Sequence, residues 1–155
     1  NLQCAFETVA EKPSYRAAWK ERRLCVIPAG CFFEPCYESG KPVRWRIERA
    51  DGTPFGIAGI WERRITDDGL PTWSMSMLTV NATDHPLMKR FHKPDDEKRS
   101  VVVLDDDDWD AWLTASTEAD VRSFLRLFDP ETMTASADPR SPSRKASKSD
   151  RAVPE

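Results

Sequence analysis

At 155 residues the chain is long enough for one domain with a core of its own and too short for two ordinary ones. A formal net charge of -3 and a pI near 5.5 provide no global basic field of the kind that draws nucleic acid, so any such binding must rest on a local patch. No stretch reaches the roughly 18 apolar residues a membrane-spanning helix needs, and the N-terminus has no charged segment leading into an apolar one; a soluble, cytoplasmic monomer is expected.

The first predicted element is a short amphipathic helix over residues 12–23, "KPSYRAAWKERR", where Pro-Ser gives a start signal and Tyr15, Ala18 and Trp19 recur at helical spacing against a basic face. From Leu24 to Leu104 the pattern changes to period two, punctuated by "ESGKP", "ADGTP" and "DDGLP", each with the Gly or Pro a reversal needs. Antiparallel hairpins follow. "VRWRI" alternates Val43, Trp45 and Ile47 against Arg44 and Arg46, "FGIAGIWE" reads as a buried strand, and "WSMSML" alternates through Trp73, Met75 and Met77, which predicts a sheet with one apolar face. "SVVVL" is a further strand.

The acids Asp105 to Asp108 are read as the start of a helix carrying Trp109, Trp112 and Leu113, because unpaired amides and the helix dipole favour carboxylates there. A second helix is predicted from Glu118 to Phe128, with Val121, Phe124, Leu125 and Phe128 on one stripe. After Asp129 the composition turns to Pro, Ser, Ala and single charges, giving one domain over 1–128 and a disordered tail over 129–155. The fold class expected is α+β, mainly antiparallel sheet with flanking helices.

Cys4, Cys25, Cys31 and Cys36 contain no Cys-x-x-Cys pair, and only two histidines are present to complete a ligand set, so neither a metal nor another cofactor is expected and the thiols are read as buried and reduced. Three segments remain that could carry chemistry: Glu34 in "CFFEP", the basic run "NATDHPLMKRFHKPDDEKR", and the start "NLQCAFETVAEKP". Taken singly, each is weak: a lone Glu after two aromatics reads as an edge residue pairing with an Arg, and a lone His in a loop is more often solvent-exposed than catalytic.

Taken together, "IPAGCFFE" and "HPLMKRFH", in the order and spacing they have between Glu7 and Leu113, resemble the SRAP family (SOS response-associated peptidase), in particular its branch with "EPCYESGK" and "HKPDDEKR". The resemblance implies a barrel-like antiparallel fold with flanking helices and an abasic-site sensor for single-stranded DNA. In such proteins an N-terminal cysteine, exposed by removal of the initiator Met, closes a thiazolidine ring on the sugar aldehyde and so forms a DNA–protein crosslink. It places Glu34 at the family's glutamate and His92 at its histidine, both catalytic. A carboxyl desolvated by Phe32 and Phe33 would have its pKa raised into the range useful for proton transfer, and Glu34 is expected to turn to a site rather than to the core. Lys89, Arg90, Lys93 and Arg99, with Lys98, would contact the DNA backbone. His85 has no family role and is read as structural or surface. The family's opening Met-Cys is not in this sequence, which starts at Asn1; its asparagine falls on Gln3, or on Asn1 with an insertion, and its arginine on Ala5. Cys4 is not N-terminal and so lacks the free amine that the ring requires. Two other readings stand beside the crosslinking one: a non-catalytic remnant that binds single-stranded DNA, and a thiol peptidase.

Overall fold

The reversals are set where the sequence expects them: Gly40, Gly52 and Gly69 take φ of 77°, 75° and 80°, a left-handed conformation that costs glycine little. The computed structural model describes residues 3–140, and its strands are β1 (Gln3–Ala5), β2 (Leu24–Ala29), β3 (Phe32–Cys36), β4 (Val43–Arg49), β5 (Phe55–Ile65), β6 (Pro71–Asn81), β7 (Arg99–Val101), β8 (Val103–Leu104) and β9 (Met133–Ala137). Helices α1 (Arg16–Lys20), α2 (Trp109–Thr114) and α3 (Glu118–Phe124) complete an α+β fold. None of these helices is long and apolar enough to cross a membrane.

The strands divide into two sheets. In the larger, the order is β1-β6-β5-β2, with β7 against β6 and β8 against β5; β1 runs parallel to β6 and the other pairings are antiparallel. β5 and β6 pair from Ile65↔Pro71 inward to Gly59↔Met77 and then part. Residues 99–104 enter the gap, where Val102 N–H donates to the Leu78 carbonyl (3.1 Å) and the Val102 carbonyl accepts from Ala58 N–H (2.9 Å). The smaller sheet, β3-β4-β9, is antiparallel throughout.

Two apolar clusters result. Trp19, Ile60, Leu78, Trp112 and Val121 join the helices to the larger sheet, and the Trp112 indole N–H fixes α2 to β2 through the Cys25 carbonyl at 2.9 Å. Phe32, Ile47, Phe55, Ile57, Phe91, Val101 and Met133 form the second, drawn from both sheets. The candidate site lies at its edge.

Several elements depart from the sequence expectation. α1 is shorter than 12–23 because the chain turns out of the helix, with Arg22 at φ 54°. α3 ends at Phe124, since Leu125 leaves helical geometry and Phe128 is thereby carried to the second cluster. Trp73 and Met75 are 61% and 55% exposed, so the apolar face expected of β6 holds only for its inner half. The acids before α2 do precede a helix, and they are also paired: Asp106 takes a two-pronged contact from Arg49 (2.7 and 2.9 Å), and Asp105 and Asp108 share Arg126. A tail disordered from residue 129 is corrected by β9, which pairs with β4 from Arg49↔Met133 to Trp45↔Ala137 and buries Met133. Arg44 closes that strand by donating to the Asp138 carbonyl (2.8 Å) and carboxylate (2.9 Å). Residues 141–155, the rest of the predicted tail, lie outside the described residues, as does Asn1.

The close passage of β5 under α2 yields a stability prediction. A Cβ on Gly56 would lie 2.6 Å from Val26 Cγ1 and 2.8 Å from the Trp109 ring. Gly56→Ala is expected to destabilise by about 1–3 kcal/mol through overpacking, read as a lower urea midpoint with an unchanged slope.

Candidate active site at Glu34 and His92

Alternation along β3 decides where Glu34 points. Phe33 is exposed while Phe32, Glu34 and Cys36 are buried, so the acid lies on the core face, opposite Trp45 of β4 in register. The expectation that it turns away from the core is not met. Glu34 is 6% exposed, at the margin of an apolar cluster that has few groups to solvate a charge. Burial pushes its carboxyl up from 4.5 to about 7, as a low-polarity setting does to any acid whose charged form it cannot stabilise.

His92 is brought to it by the loop between β6 and β7. The imidazole Nε2 lies 3.3 Å from Glu34 Oε2. That contact is within ion-pair range but is not aligned as a hydrogen bond, and Nε2 is buried without a hydrogen-bond partner among the described residues. The His92 pKa is lowered, chiefly by burial and further by the charge of Lys98, against the opposing effects of the Arg99 backbone and Asp96. Mutual attraction between carboxylate and imidazolium would move the two groups the other way. Desolvation therefore outweighs pairing, and burial favours a carboxylic acid beside a neutral imidazole over the ion pair.

The loop has a defined build. His92 sits at φ 64°, a left-handed conformation that costs a non-glycine residue on the order of 1–3 kcal/mol unless its surroundings enforce it. Its N–H donates to the Pro35 carbonyl at 2.8 Å, and Phe91 bridges Cys36, so the turn is clasped to the strand that carries Glu34. Upstream, His85 is structural: its Nδ1 accepts from the Leu87 and Met88 amides (3.2 and 3.1 Å) and its Nε2 donates to the Phe128 carbonyl (2.8 Å). Those roles fix a neutral ring with its proton on Nε2.

The cations read as DNA contacts fall into different settings. Lys89 and Lys93 are exposed on the His92 loop. Arg90 stacks over Trp45 (4.8 Å to the ring centroid) and forks onto Glu38 (2.9 and 3.1 Å). Arg99 lies apart from them, engaged with Glu7 (2.8 and 3.1 Å), Glu97 (2.9 Å) and Thr79, where it ties the Phe6–Thr8 turn to the sheet. Lys98 turns back onto its own loop. Gln3 is exposed at the start of β1. Cys4 beside it is 1% exposed and its thiol is pushed up to about 11 by burial, which removes it as a ready nucleophile. Trp45, which walls the acid and carries Arg90, was not singled out from the sequence as part of a site; only strand register reveals that it stands across from Glu34. Among the described residues no cluster of metal-ligating side chains is present.

The raised carboxyl has a consequence for stability. A folded-state pKa above the unfolded value means that the native state holds its proton more tightly, so Glu34 supports the fold fully below about 4.5 and progressively loses that support as pH rises through about 7. The His92 shift has the opposite sign, adding stability as pH rises. Glu34→Gln isolates the first effect: the variant is expected to gain on the parent protein as pH goes from 4.5 to 8, by on the order of 3 kcal/mol at most. Urea denaturation at the two pH values measures it.

Comparison with known proteins identifies the family of the chain. The family model described as "SOS response associated peptidase (SRAP)" matches residues 1–138. Two Bacillus subtilis (strain 168) proteins, abasic site processing protein YoqW and abasic site processing protein YoaM, are each 30% identical over 137 residues, 86% of this chain and 58% and 57% of their own length. The chain thus spans less than two thirds of these relatives. A crystal structure from Bordetella bronchiseptica superposes with a TM-score of 0.84 at 40% identity, over 88% of this chain and 64% of that one. One from Bacteroides thetaiotaomicron gives 0.77 at 26%, over 87% and 57%. With a family match across nearly all its described residues and a shared fold, the chain belongs to the SRAP family.

Proposed function

We propose that this chain supplies the proton-transfer groups of an abasic-site processing protein that acts on single-stranded DNA and crosslinks to the lesion. The observation that carries the reading is the buried Glu34 carboxyl, raised to about 7, 3.3 Å from the imidazole of His92. The names of the relatives as abasic site processing proteins support it.

An abasic sugar rests mostly as a closed hemiacetal, and its aldehyde must be released before anything can add to it. Opening needs a proton taken from the C1 hydroxyl and one given to the ring oxygen as the C1–O bond breaks. A carboxyl titrating near neutrality can do either, because both of its forms are populated at working pH. A neutral imidazole beside it can accept the proton that the acid does not hold. The amine of the family's N-terminal cysteine then adds to the aldehyde; the carbinolamine hydroxyl leaves as water when protonated, giving an imine; and the thiol adds to the imine carbon to close the thiazolidine. Each step before the last moves a proton at the sugar, which is the work Glu34 and His92 are placed to share. Lys89 and Lys93, exposed on the same loop, are assigned to the phosphates flanking the lesion.

A thiol peptidase fits these residues less well. The thiols of Cys4 and Cys25 are both pushed up to about 11 by burial, far from a thiolate at neutral pH. His85 spends its ring nitrogens on the backbone, and the exposed question of a base for such a nucleophile falls to His92, which faces Glu34 instead.

The test uses the protein expressed from its complete reading frame, mixed with a single-stranded oligonucleotide carrying one abasic site and run on a denaturing gel beside an intact strand. A lesion-dependent band is expected, with Glu34→Gln and His92→Ala each slowing its appearance by about a hundredfold while both variants keep a cooperative melting transition above the assay temperature. Parent-like rates in both variants would remove the assignment.

A further inference from the structure

The ammonium of Lys98 is within hydrogen-bond distance of three successive carbonyls: Phe91 at 2.9 Å, His92 at 3.3 Å and Lys93 at 2.7 Å. An ammonium has three donors and no acceptor, so this set uses its capacity in full. The backbone of Lys98 is itself anchored, its carbonyl accepting from Ala82 N–H at 2.7 Å, which ties the far end of the loop to its beginning. A second turn contact, Asp96 N–H to the Lys93 carbonyl at 3.1 Å, closes the same curve.

We propose that Lys98 is a positioning residue for His92, holding the imidazole against Glu34 by gathering the carbonyls of a left-handed turn around one cation. The geometry explains why a histidine at φ 64° persists there. The turn aims three carbonyl dipoles inward, an arrangement that repels itself and that the single bond from His92 N–H to the Pro35 carbonyl does not compensate; the half-buried ammonium that they share does. The same cation stands among the titratable groups around His92, which include Glu34, Lys98 and Asp96, and it disfavours a second positive charge on the ring. Lys98 thus belongs to the site's scaffold rather than to a DNA-facing patch. In its effect on catalysis the proposal rests on the abasic-site reading; in its effect on the His92 ring it does not.

The experiment compares the full protein with Lys98→Met and Lys98→Arg, using three readouts: NMR titration of the His92 imidazole in the absence of DNA, the rate of lesion-dependent crosslinking, and affinity for intact single-stranded DNA over a range of salt. Lys98→Met is expected to move the imidazole midpoint up toward that of an ordinary histidine and to slow crosslinking by about ten- to a hundredfold, with affinity for intact DNA unchanged. Lys98→Arg, which keeps a charged donor, restores part of both. A melting curve for each variant separates loss of position from loss of fold, and if Lys98→Met does not fold, Lys98→Arg carries the comparison alone through an intermediate midpoint and rate. Equal weakening of binding to intact and lesioned strands, with the salt slope reduced by about one, would make Lys98 a phosphate contact and overturn the proposal. An unchanged imidazole midpoint in Lys98→Met would overturn it as well. Absence of any crosslink in the parent protein would count against the abasic-site reading and leave the imidazole titration to decide the role of Lys98.

Discussion

A carboxyl on the core face of a strand must be neutralised, solvated or paired, and the region around Glu34 is organised by that constraint. β3 places the side chain beside Phe32 and Cys36, across from Trp45, where water contact is nearly lost. Pairing with His92 does not rescue the charge, since burial depresses the imidazole too. Retaining the proton is the outcome that costs least. The same desolvation that would weaken the fold at alkaline pH keeps a weak acid available where a stronger one would already have ionised.

Everything else near the site keeps His92 where it can meet that acid. The loop between β6 and β7 carries no regular helix or strand of its own beyond one short 3-10 turn, Met88–Arg90, so its shape depends on side chains that reach backbone groups. His85 binds two amides and the Phe128 carbonyl, which joins the loop to the segment after α3. Phe91 sits at the bottom, fully buried and tilted against Trp45 (6.1 Å between ring centroids). The two histidines of the chain have opposite tasks: one has its nitrogens consumed by structure, the other presents a nitrogen with no hydrogen bond at the acid. The wedge of residues 99–104 between β5 and β6 then fixes the end of the loop to the larger sheet, so both halves of the pair are referred to one core.

How far this was legible in the sequence depended on whether the signal was local. The hairpins were, because turn glycines need only their own neighbours to declare a reversal. The start of α3 was too, and Thr117 caps it in a reciprocal exchange with Asp120. β9 was not: "MTASA" is poor in strong strand formers, and it is a strand because β4 offers an open edge to pair with. Trp73 and Met75 read as core by alternation, yet they lie on a part of the hairpin that runs past the packed sheet. Glu34 and His92 were candidates separately and were joined into one site only through resemblance to a family, since they lie 58 positions apart and periodicity carries no information over that span. Lys98 was visible merely as one charge in a basic run. Its three carbonyl partners come from a backbone turn that no residue pattern announces, which is why arginines and lysines in that run looked equivalent and are not.

The claim on which the account turns is that Glu34 keeps its proton to near neutrality inside the fold. Carbon-13 NMR of the Glu34 side-chain carboxyl, followed from pH 4 to pH 9 in the folded protein, tests it without DNA, partner or activity. The account predicts a midpoint near 7, and a midpoint at the ordinary value of about 4.5 would contradict it, showing a solvated carboxylate where a buried acid is required.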